Sequence, residues 1–149
     1  MRTLGIAIDP GGGNPKLLGV IVRGTAANPV LEDEFELKTS STEAPEQVAA
    51  LARLLHAKLP GIEFDEAAIR VAGTRPVASR FKGNFSRAHA EGAALYVLRE
   101  HIKRPIGMGD PKSFAMEIGA SKDDLVARAK GLSKGKTDAA IAAIAALGT

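Results

Sequence analysis

Residues 3–22 read TLGIAIDPGGGNPKLLGVIV, and the fold turns on how this stretch is parsed. Thr3 to Asp9 is a short apolar run, rich in β-branched residues, that stops at Pro10 and three glycines. That pattern predicts a buried strand entering a turn. Leu17 to Arg23 is a second run of the same kind. Asn28-Pro29 marks a further turn, and Val30 to Lys38 alternates apolar and polar positions imperfectly, as a third strand at a sheet edge would. Three strands with short links predict an antiparallel meander. One carboxylate, Asp9, sits where the first strand meets the glycines, a position that suits a plain turn residue as well as a functional one.

Downstream the periodicity changes. TSSTEAPEQ carries a helix-start signature, and Val48, Leu51, Leu54 and Leu55 then recur at helical spacing until Pro60-Gly61. Ala67 to Ala72 predicts a fourth strand, Gly73 to Ser86 a loop, and Ser86 to His101 a second helix that buries Ala90, Ala94, Leu95 and Leu98. Ile106 to Met108 suits a fifth strand. After Asp110-Pro111 come a short helix, a break at Gly119, and a helix opened by Ser121 as N-cap and closed near Gly131. The last segment, TDAAIAAIAALG, predicts a helix capped by Thr137 or Asp138.

The bulk composition narrows the classes. A length of 149 residues suits one domain over 1–149, and 45% hydrophobic with 25% charged residues is ordinary globular composition. With no cysteine, disulfides and thiolate metal sites are excluded. No run approaches the ~18 apolar residues of a membrane span, so the expectation is a soluble, cytoplasmic protein. The net charge of +3 permits nucleic-acid binding without demanding it. Its distribution says more. Across 67–90 there are five cations (Arg70, Arg75, Arg80, Lys82 and Arg87) and no acid. Such a run is a candidate phosphate site or a plain solvated surface, and within TRPVASRFKGNFSR Phe81 or Phe85 wedges against bases or packs on the helix. His56, His89 and His101 lack the mutual spacing of a zinc site.

The element order β-β-β-α-β-α-β-α-α is the pattern of a ribonuclease H-like fold: α/β, with a central mixed five-stranded sheet flanked by helices. GIAIDPGGG followed by LLGVIV resembles the start of the RuvC-type Holliday junction resolvases, whose first strand ends in Asp-Pro-Gly. RAHAEGAALYVLREH, PKSFAMEIGASKDDLVARA and KTDAAIAAIAAL resemble later segments of that family in the same order. The resemblance implies a homodimer that acts on branched DNA, the Holliday junction, by two-metal phosphodiester hydrolysis with Mg²⁺ or Mn²⁺. Four acids hold the metals in that family. The first matches Asp9 and the third Asp138, which would be catalytic and metal-binding.

The other two do not match. The second acid should fall at Arg70 to Gly73, where none exists, and the fourth at Ile141, where Ala142 cannot replace it. Glu91, on the second helix, is a candidate substitute ligand or a surface carboxylate paired with Arg87. The resemblance makes Arg75, Arg80, Lys82, Arg87, Lys112 and Lys122 candidate DNA contacts, with Phe81 beside them. Two readings follow: a structure-selective endonuclease with a rearranged acid set, or a catalytically degenerate protein that binds branched DNA without cutting it.

Overall fold

The computed structural model describes residues 1–71 and 82–148, with the side chains of 82–86 outside that description. Five strands run as β1 (Arg2–Asp9), β2 (Lys16–Gly24), β3 (Pro29–Lys38), β4 (Glu66–Arg70) and β5 (Ile106–Gly109). Five helices join them: α1 (Ala44–Lys58), α2 (Lys82–His101), α3 (Pro111–Glu117), α4 (Lys122–Leu132) and α5 (Thr137–Ala146). The sheet order is β3-β2-β1-β4-β5. β1, β2 and β3 form the antiparallel meander, while β4 adds parallel to β1 and β5 parallel to β4. The mixed five-stranded sheet of a ribonuclease H-like fold is the result.

Period-two alternation sends each strand's side chains into two cores. Leu4, Ile6 and Ile8 of β1 join Leu17, Ile21, Ala67 and Ile69 against α1 and α2. Ala7, Leu18, Val20, Val22 and Ala68 face α5, with α3 and α4 behind it. The two faces differ in size of side chain. On the α5 side the central strands offer Gly5, Ala7 and Ala68, and α5 answers with Ala139 to Ala145, all buried.

That small-residue contact lets helix and strand touch backbone to backbone. A Cβ on Gly5 would lie 2.0 Å from the Ala139 carbonyl oxygen and 2.3 Å from the Ala143 nitrogen. Beside it the buried Thr3 hydroxyl donates to the Ala143 carbonyl at 2.6 Å. On the opposite face a Cβ on Gly19 would enter the Phe35 ring, so that glycine makes room for the aromatic cap of the α1/α2 core.

Several boundaries differ from the sequence expectation. β4 stops at Arg70, two residues before Ala72, and α2 starts at Lys82, four before Ser86. Ser121 caps α4, its hydroxyl accepting from the Asp124 amide. Neither Thr137 nor Asp138 caps α5: the N-cap is Lys136, which makes no side-chain cap, and both residues lie inside the first turn. On α1 the buried stripe is Gln47, Leu51 and Leu55, while Leu54 is exposed. Gln47 is buried because its amide nitrogen donates to both the Gly13 and Ser41 carbonyls at 2.9 Å, which compensates its desolvation.

Gly5→Ala is expected to destabilise the protein by about 3 kcal/mol or more, because the new methyl meets main-chain atoms that cannot rotate away. Urea denaturation measures it, and a loss below about 1 kcal/mol would mean that α5 does not sit this close to β1.

Candidate functional site

The C-terminal ends of the parallel strands are where an open α/β sheet leaves a crevice. Here β1 ends at Asp9 and β4 at Arg70, one step beyond the Ile6–Ile69 pairing. α5 runs back over β1, so its first turn arrives at the same end. Ala7, Asp9, Leu18, Arg87, Thr137 and Asp138 line a cleft of about 290 Å³. The two acids predicted to meet, Asp9 and Asp138, do line one cleft.

Each is placed by a separate device. Asp9 is exposed, and its Oδ1 accepts from the Gly11 amide at 3.1 Å, an Asx-type turn that opens the glycine segment. Gly11, Gly12 and Gly13 all take positive φ, 51°, 64° and 107°, which only glycine does without strain. Gln47 of α1 then fastens the Gly13 carbonyl. The start of α5 is fixed from β3. Glu34 accepts a short hydrogen bond from the buried Ser133 hydroxyl and pairs with Lys136 at 3.5 Å, so one carboxylate holds both ends of the α4–α5 loop.

The surroundings of Asp138 are cationic. Arg70 Nε lies 3.7 Å from Asp138 Oδ2, and an Arg87 Nη nitrogen lies 4.0 Å from the same oxygen. Both guanidiniums are largely covered, with side-chain exposures of 18% and 15%. Arg87 is steered by Glu91, one turn later on α2, through a 2.9 Å hydrogen bond. Glu91 is therefore not a surface carboxylate: its side chain is 6% exposed and engaged by the arginine. Arg70 is less well served. Its Nε and Nη1 are buried and make no hydrogen bond to the described residues.

These residues do not fit a two-metal centre. Among the described residues no cluster of three or more His, Cys, Asp or Glu side chains is placed to hold a metal ion. The position of the expected fourth acid, Ile141, is 1% exposed and part of the core. At the end of β4, where a second acid is expected, stands a guanidinium. A divalent ion on Asp138 would face it as a like charge, and +2 against +1 at ~6 Å repel by about 5 kcal/mol at an effective dielectric of 20.

The remaining predicted residues fall elsewhere. Arg75, Arg80 and Phe81, and the side chains of Lys82 and Phe85, lie outside the described residues. Lys112, in the first turn of α3, and Lys122, the first residue of α4, are exposed and do not line the cleft. Arg70 is the residue that sequence reasoning undervalued, noted only as a missing acid and as one charge in a basic run. The signal was there: an arginine closing the otherwise buried strand EAAIR has its stem inside the protein and its head at the strand's end.

No family model and no curated protein matches the chain. Among solved structures, that of Thermus thermophilus RuvC is similar over 97% of this chain and 92% of its own, at 19% identity and a TM-score of 0.69. The chain has the RuvC fold. T. thermophilus RuvC in complex with Holliday junction substrate is similar to the same degree, with 97% and 91% of the two chains covered, 19% identity and a TM-score of 0.69. Among the described residues no helix is long and apolar enough to cross a membrane.

Glu91→Ala is expected to cost about 3 kcal/mol, because it strips a largely covered arginine of its closest acceptor. Glu91→Gln, which keeps an acceptor oxygen, should recover part of that loss. Equal losses for both variants in chemical denaturation would mean that the Arg87 contact is not what Glu91 contributes.

Proposed function

We propose that this protein binds branched DNA of the Holliday junction type and does not cut it by two-metal hydrolysis. The observation that carries the reading is the pair of guanidiniums, Arg70 and Arg87, around Asp138, the acid that lines the cleft beside Arg87. The RuvC fold supports the choice of DNA, and so does the basic segment 67–90, with Arg75, Arg80, Lys82 and Arg87 as its phosphate contacts. Lys112 and Lys122, exposed at the starts of α3 and α4, are further candidate phosphate contacts. A four-way junction is two-fold symmetric, so a homodimer of 1–149 units matches its geometry.

The endonuclease reading keeps one observation on its side, the meeting of Asp9 and Asp138 in one cleft. Against it stands the donor set. Two carboxylates in place of four leave a two-metal site short of several kcal/mol of charge stabilisation, on the order of 10³-fold or more in rate.

A labelled four-way junction, incubated with the protein or with Asp9→Asn in Mg²⁺ or Mn²⁺, separates the readings when binding and cleavage are read from one gel. Junction binding without cleavage, similar in both proteins, is the expected result. Cleavage that disappears in Asp9→Asn would establish the endonuclease instead, and absence of binding would remove the DNA assignment.

A further inference from the structure

The contacts around Asp138 are in one respect unfinished. Its Oδ2 lies 3.7 Å from Arg70 and 4.0 Å from Arg87, both beyond the ~2.7–2.9 Å of a charge-assisted hydrogen bond. One carboxylate thus attracts two guanidiniums and satisfies neither. Two of the three Arg70 nitrogens are buried and make no hydrogen bond to the described residues, an arrangement that is costly without an acceptor. Arg87 is better prepared, because Glu91 already holds its Nε while Nη2 faces Asp138. The Asp138 side chain itself is 45% exposed.

A phosphodiester carries the same single negative charge as a carboxylate and likewise presents two oxygens. It can compete for the same pair of cations. We propose that Asp138 is a resident anion which one DNA phosphate displaces, the phosphate then lying between Arg87, which lines the cleft, and Arg70, which stands behind Asp138, without a divalent ion. The proposal rests on the branched-DNA reading above and names the group that this site takes. It also reverses the meaning of Asp138. In a metal centre that acid draws the substrate in through the cation it binds, whereas here it competes with the substrate.

The sign of one substitution therefore decides the matter. Junction affinity is measured by fluorescence anisotropy at fixed ionic strength, once in EDTA and once in Mg²⁺. The protein is expected to bind equally in both, and Asp138→Asn to bind several-fold more tightly. Arg70→Gln should weaken binding about tenfold and lower the slope of log affinity against log salt by about one. Thermal melting of Arg70→Gln checks its folding, and the Asp138→Asn result stands without it. Binding that requires Mg²⁺, or that weakens in Asp138→Asn, would overturn the proposal while leaving the DNA reading intact. Titration of Mn²⁺ into the DNA-free protein, followed by electron paramagnetic resonance, should show no uptake that depends on Asp138, and such uptake would also overturn the proposal. Failure to bind the junction under either condition would sink both.

Discussion

Everything at the functional end of this molecule depends on how closely α5 lies on β1. Gly5 has no side chain, so the Ala139 carbonyl and the Ala143 amide occupy the space a Cβ would need. The Thr3 hydroxyl ties the same turn of the helix to the strand. Because α5 is alanine-rich on every side that faces protein, it serves the Gly5–Ala7–Ala68 surface and the α3/α4 layer at once. A bulkier helix would ride higher on the sheet. Its first turn, and Asp138 with it, would then be lifted away from the strand ends, and the cleft would open.

The cleft built this way carries charges of both signs. Asp9, Asp138 and Arg87 line it, Arg70 stands beside Asp138 and Glu91 beside Arg87, and the partnerships are unequal. Glu91 and Arg87 are both largely covered and joined by a hydrogen bond, a pairing in which each charge makes the other's burial tolerable. Asp9 spends one oxygen on the Gly11 amide, which stabilises the turn whatever else the residue does. Only Asp138 and Arg70 remain loosely matched. On the proposed reading, the chain itself carries the positive charge that a metal-dependent site draws from solution.

Most of the architecture was legible in the sequence because period, turn chemistry and capping agreed. The apolar runs at 3–9 and 17–23, the glycine turn between them and the Ser121 cap all lie where local rules put them. Local rules failed where tertiary contacts decide. Leu54 fits the helical period yet is exposed, while Gln47, polar and off that stripe, is buried by two carbonyls from distant turns. Glu34 and Ser133 are 99 positions apart, and no pattern on either strand or loop announces that they meet. The pairing of Asp9 with Asp138 was legible only through resemblance to a family. Their charge environment was not, because a single sequence does not say that Arg70 and Arg87 converge on one of the two acids.

Arg70 is the residue at which stability and function pull apart. Leaving two guanidinium nitrogens buried without hydrogen bonds costs about 1–3 kcal/mol, a large share of a small domain's net stability. A Met or Leu at the end of β4 would fill the same volume at no such cost. Nothing in the sheet requires a charge there: β4 already pairs on both sides, with β1 and β5, and its neighbours Ala67, Ala68 and Ile69 are buried and apolar. A cation kept beside an acid too distant to hydrogen-bond it, with no other acceptor among the described residues, is what an anion from outside the chain would complete.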